Sequence, residues 1–136
     1  MAAFETVHTM TDYYDGPRGG VADFRGAPHV YESEFSDTLN NYTDSFRLSP
    51  ISDDLFQLAL EDWAIWLRWD AAYKRRDTPH ETHPALPAER DRYDELERLL
   101  NGRLVIDPTD FVLATAEFRN VQSELQVCWS VTPPVA

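Results

Sequence analysis

The spacing of apolar residues changes period twice along this chain, and those changes limit what it can fold into. Alternation by twos marks a strand with one buried face, while recurrence at three and four residues marks a helix. In the first fifty residues the period is two. Ala22 and Phe24 alternate with Asp23 and Arg25, and Val30 and Tyr31 are followed by charges at Glu32 and Glu34. The spacer Arg25-Gly26-Ala27-Pro28 joins these runs into a hairpin. A third strand is predicted at Thr43–Leu48, after the polar loop Ser36–Tyr42, and a weaker one at Phe4–Thr9.

From Ser52 the period becomes helical. Ser52 is a good N-cap, with Asp53 and Asp54 at the positive end of the helix dipole and Ile51 and Phe56 at staple positions. Phe56, Leu60, Trp63 and Leu67 form the apolar stripe, widened by Leu55, Leu58, Ala59, Ile65, Trp66 and Trp69. Lys74, Arg75 and Arg76 close the helix, and Pro79 stops it. A shorter helix opens near Pro87, carries Tyr93, Leu96 and Leu100 on one face, and ends at Asn101-Gly102. Two helices on a short loop pack antiparallel.

After Val112 the period returns to two. Val112, Ala114, Ala116 and Phe118 share one side of a strand; Leu125, Val127, Trp129 and Val131 share one side of the next. The pattern predicts an α+β fold in a single domain, 1–136. An antiparallel sheet of about five or six strands has a two-helix hairpin inserted between its N-terminal and C-terminal strands. The C-terminal hairpin is expected to extend or complete the sheet begun by the N-terminal strands.

Charge narrows the partners. The 136 residues carry 24 Asp and Glu against 12 Lys and Arg, a net charge of −12. The excess is spread out: 8 acids face 3 bases in 1–50, 7 face 4 in 51–86, and 9 face 5 in 87–136. Such acidity argues against nucleic acid and against an anionic membrane as partners. The most apolar stretch, Leu55–Tyr73, contains Glu61, Asp62, Arg68 and Asp70, too many charges for a bilayer. The single cysteine, Cys128, fits a reducing compartment, and the start of the chain shows no leader pattern, so a cytoplasmic location is expected.

Three places carry candidate chemistry. The first is the turn containing Asp12, Tyr13, Tyr14, Asp15 and Arg18, which sets two carboxylates, two phenols and a guanidinium around Gly16-Pro17. Aromatics and arginine favour recognition, although turn chemistry alone also accounts for the composition. The second is the loop with His80, Glu81 and His83. These residue types ligate metals, but the spacing does not match a helical zinc motif, so no metal or other cofactor is assigned. The third is Asp62 with Trp66, spaced by four on one helix face. Carboxylates beside indoles suit a cation or sugar, and equally suit the rim of a core. No strained nucleophile turn is present, and Cys128 lies in a predicted strand, so a catalytic role is not favoured.

The stretch Asp12–His29, together with Leu58–Trp66 and Thr82–Leu86, resembles a small family of uncharacterised bacterial proteins. That resemblance covers about a quarter of the chain and implies a bacterial origin without an activity. Three functions remain in view. The leading one is a non-catalytic interaction module whose acidic surface meets a basic protein, with toxin neutralisation as its sharpest form. The alternatives are a small-molecule site or enzyme between the Asp12–Arg18 loop and the long helix, and a structural subunit of a homo-oligomer. The acids of the N-terminal β region, Asp12, Asp15, Glu32, Glu34, Asp37 and Asp44, are the first surface to inspect for a partner.

Overall fold

The structure, a computed structural model, describes residues 3–132. Its elements follow the order β1 Glu5–Thr6, β2 Asp12–Tyr13, β3 Pro17–Phe24, β4 Ala27–Ser36, β5 Asn41–Pro50, α1 Asp53–Lys74, α2 Arg90–Leu100, β6 Val112–Val121 and β7 Glu124–Val131. The fold is α+β, with both helices between the N-terminal and C-terminal strands. Contacts divide the chain into two compact units: Asp54–Arg103, and Met1–Asp53 with Leu104–Ala136.

The sheet unit holds seven antiparallel strands in the order β1-β7-β6-β5-β4-β3-β2. The C-terminal hairpin continues the N-terminal sheet, because Ser45–Leu48 of β5 pairs with Val112–Thr115 of β6. β1 falls inside the weaker strand expected at Phe4–Thr9, and the strand beyond the expected five or six is the two-residue β2. A two-residue strand has no period to read.

Those two short strands curl the sheet. Glu5 and Thr6 pair with Val127 and Gln126 on β7. Val7 then bridges to Ala22, and the N–H groups of His8 and Thr9 both donate to the Val21 carbonyl, at 2.8 and 3.0 Å. Thr11 N–H donates to the Gly19 carbonyl, and Asp12 pairs with Gly19. One continuous segment therefore ties the β7 edge to the β3 edge.

The β3–β4 and β6–β7 hairpins each turn on two residues of positive φ, Arg25-Gly26 (54° and 78°) and Gln122-Ser123 (52° and 70°). Such turns match the right-handed twist of the strands they join. At the first of them the strands run further into the connection than the spacer Arg25–Pro28 implied, since β4 already begins at Ala27. At the second turn neither residue is glycine, so the sequence offers no sharp marker there.

The core follows the alternation. Ala22 and Phe24, Tyr31, Phe46 and Leu48, Ala114, and Val127 and Trp129 form one buried cluster, with Val7, Val112, Ala116 and Phe118 packed against it. The rings of Tyr31, Phe46, Phe118 and Trp129 meet at centroid distances from 5.7 to 6.4 Å, a range that suits tilted and edge-on contacts. Their polar atoms are satisfied: Trp129 Nε1 donates to the Asp23 carbonyl at 2.9 Å, and the Tyr31 hydroxyl to the Thr9 carbonyl at 3.0 Å. Each such buried ring contributes about 1.5–3 kcal/mol.

In the helical unit, α1 and α2 run antiparallel. Arg68 of α1 pairs with Glu89 just before α2, while Glu61, two turns earlier on α1, holds Arg92 through two hydrogen bonds of 2.6 and 2.7 Å. Ile65, Ala85 and Leu96 form the buried centre, flanked by Leu58 and Tyr93. The buried residues of α1 are Leu55, Ala59, Ile65, Trp69 and Ala72. The predicted stripe differs: Phe56, Leu60 and Trp63 are only partly buried and Leu67 is exposed. A helix apolar around most of its circumference gives periodicity little basis for choosing a face.

Candidate functional site

A cleft of about 740 Å³ in the sheet unit lies where β3 begins and the β4–β5 hairpin runs on beyond it. Asp12, Arg18, Glu32, Ser33, Glu34, Phe35, Tyr42 and Arg47 line it, with Ser36, Thr43 and Ile106. Its shape comes from a bulge. Ser33 pairs with Phe46 and Phe35 with Tyr42, so one residue of β4 faces three of β5: Thr43, Asp44 and Ser45. Bulges bend the strand that carries them.

The bulge is held by hydrogen bonds. The Ser33 hydroxyl donates to the Thr43 carbonyl at 3.1 Å, and Ser45 N–H donates to Thr43 Oγ1 at 3.1 Å. Arg18 reaches the same carbonyl through Nη1 at 3.4 Å. Its Nε donates to the Tyr14 carbonyl at 2.7 Å, and its Nη2 to the Asp15 carbonyl at 3.3 Å. One guanidinium thus fastens the β2–β3 turn to the β5 bulge. Arginine suits this task because its donors form a rigid fork.

Aromatic rings collect beside it. The Arg18 guanidinium lies 5.2 Å from the Tyr42 ring centre, Tyr14 is 5.9 Å from Tyr42, and Phe35 meets Tyr42 edge-on at 5.3 Å. Tyr13, Tyr14 and Phe35 are 64%, 61% and 51% exposed. Phe35 and Tyr42 are cross-strand partners on the far side of the bulge from Ser33 and Phe46.

The charges are uneven. Arg47 pairs with Glu34 at 2.9 Å and lies over the Phe111 ring at 5.3 Å. Asp12, Asp15, Glu32, Asp37 and Asp44 are exposed, and among the described residues none of them makes an ion pair. Burial, and secondarily the charge of Asp12, holds the Tyr31 phenol well above its ordinary range, so it remains a neutral donor to Thr9.

No family model, curated protein or solved structure matches this chain. The site is therefore argued from its own geometry.

Of the residues singled out in the sequence, Asp12, Arg18, Glu32 and Glu34 line one cleft, with Tyr14 tilted against Tyr42 at its edge and Tyr13 and Asp15 on the same turn. Ser33, Phe35, Tyr42 and Arg47 belong with them and were not anticipated. Phe35 keeps the phase of Tyr31 and Ser33 in the sequence, and Tyr42 sits in the segment expected as a polar loop, so the bulge leaves no mark in the sequence pattern.

Asp62 and Trp66 lie in the helical unit. Burial, together with a hydrogen bond to Glu97 and the Glu97 charge, pushes the Asp62 carboxyl up to about 7. Asp62 Oδ1 is buried without a hydrogen-bond partner. Trp63 and Trp66 stack at 5.1 Å. His80 and His83, on a short 3-10 turn and just after it, stack at 6.1 Å and pack edge-on against Trp69 at 6.4 and 4.5 Å. Among the described residues no group of three or more His, Cys, Asp or Glu side chains is placed to hold a metal ion. Among the described residues no helix is long and apolar enough to cross a membrane.

Proposed function

We propose that the protein is a non-catalytic interaction module that binds a basic protein partner through the face formed by β2–β5. One observation carries the reading: exposed aromatics Tyr14 and Phe35, packed about Tyr42, share a region with five exposed carboxylates that no arginine neutralises. Aromatic faces attract cations, and desolvated aromatics supply most of the energy at recognition hot spots. Unpaired carboxylates raise the encounter rate with a basic partner. Neutralisation of a basic toxin inside a bacterial cell is the sharpest form of this reading.

The test is a retention experiment with the whole chain as bait, using lysate from its own cells. A basic protein retained at low salt, released at high salt and lost when Asp12, Glu32 and Asp44 are replaced by Asn, Gln and Asn supports the reading. Retention unchanged by salt and by the three substitutions, or no retained protein at all, overturns it.

A further inference from the structure

The β5 bulge opens a sheet edge. The β5–β6 ladder ends at Ser45 and Thr115, although β5 extends back to Asn41 and β6 forward to Val121. Beyond that point β5 pairs with β4 and β6 with β7, and no described strand pairs with the β5-facing side of Ala116–Val121. The orientation of the backbone groups follows from one bond. Thr132 N–H donates to the Leu113 carbonyl, so the odd residues of β6 bond toward β7. Backbone bonding alternates along an antiparallel strand, which aims N–H and C=O of Ala116, Phe118 and Asn120 at the open side.

An exposed strand edge is a template for another strand, and proteins usually blunt it with proline, lysine or a cover. Ala116–Val121 contains neither proline nor lysine. Its one cation, Arg119, is engaged, with Nε donating to Gln126 and the guanidinium 3.7 Å from the Phe4 ring centre. The flanking charges are acidic and exposed: Asp44 at the bulge and Glu117 on β6.

We infer that the notch between β5 and β6 takes an extended, arginine- or lysine-bearing segment of a partner protein as an added strand on Ala116–Val121. The inference rests on the proposed binding of a basic partner and gives its mode: backbone pairing supplies affinity and alternate side chains supply choice. Charge complementarity selects this occupant. A second copy of the chain would bring another net charge of −12 to the same acidic edge.

The test uses calorimetry on the whole chain with three capped ten-residue peptides. One alternates arginine and valine, one is the same peptide N-methylated at every residue so that neither edge can donate, and one alternates glutamate and valine. The arginine peptide is expected to bind, and the methylated one to bind at least about tenfold more weakly, since each lost hydrogen bond is worth about tenfold in affinity. Asn120→Pro removes one edge donor without touching the β7 ladder and is expected to weaken the unmethylated peptide similarly. Methylated and unmethylated peptides of equal affinity overturn strand addition while leaving charge-driven recognition standing. Equal binding of the glutamate peptide overturns the basic-partner reading itself. Binding of neither arginine peptide overturns both.

Discussion

The Tyr31 hydroxyl donates to the Thr9 carbonyl at the point where the sheet closes on itself, and Gly20 is what lets them meet. A Cβ on residue 20 would stand 2.2 Å from the Thr9 oxygen and 3.0 Å from the Tyr31 hydroxyl. Gly20 also has a φ of +153°, which side-chain-bearing residues rarely adopt. Gly20→Ala is therefore expected to cost more than about 3 kcal/mol, combining overpacking with backbone strain. Tyr31→Phe keeps the ring and loses one bond, at about 1 kcal/mol. Denaturant titration of both variants checks the ranking; equal costs would show that the closure is not tight.

Asp62 makes stability depend on pH in an unusual direction. Its native pKa of about 7 lies above the ordinary carboxyl value, so the folded state holds a proton that the unfolded chain has released. The stabilisation is fully present below about pH 4 and is lost as pH rises to about 7. Asp62→Asn, which removes this dependence, is expected to be more stable than the parent by about 2 kcal/mol at pH 8, after discounting for partial exposure. Thermal melts at pH 5 and pH 8 read it. A gap between the two proteins that does not widen at pH 8 would refute the assignment.

Leu96 is fully buried and packs with Ile65 and Ala85 at the centre of the helical unit. Leu96→Ala leaves a cavity and is expected to cost about 2–5 kcal/mol. The exposed Leu99, three residues on, serves as the control, with an expected change within about 0.5 kcal/mol for Leu99→Ala. Chemical denaturation distinguishes them.

Ser33→Ala tests whether the bulge is held as described. Losing the bond to the Thr43 carbonyl is expected to cost about 1 kcal/mol. It should also speed amide exchange at Ser45 and leave the pairing of Thr115 with Ser130 unchanged. Uniform exchange changes across the sheet would mean that Ser33 supports general stability and not the bulge.

Much of the architecture was legible because its signals were long. The alternations Ala22–Phe24 and Val112–Phe118, and the helical run after Ser52, each repeat often enough to be read, and they placed the helices between two sets of strands. Asp12–Tyr13 escaped the strand count and Phe4–Thr9 shrank to Glu5–Thr6; both are strands only because their neighbours, 120 residues away for Thr6 and seven for Asp12, supply the pairing. The site was half legible. Composition drew notice to Asp12, Arg18, Glu32 and Glu34, but Tyr42 and Ser33 join them through a bulge, and a bulge changes which residues face one another without changing which residues are present.

The segment from Glu5 to Asp12 bears on how the chain is made as well as how it is held. Glu5 pairs with Val127, so it leaves the ribosome 122 residues ahead of its partner. During that interval the β7 partner of Glu5 does not yet exist, and β3 and β4 can fold only as part of an open sheet. Contacts so distant in sequence form slowly. The sheet thus closes only once β7 has been made, and the nascent chain passes through a stage in which its edges are unguarded.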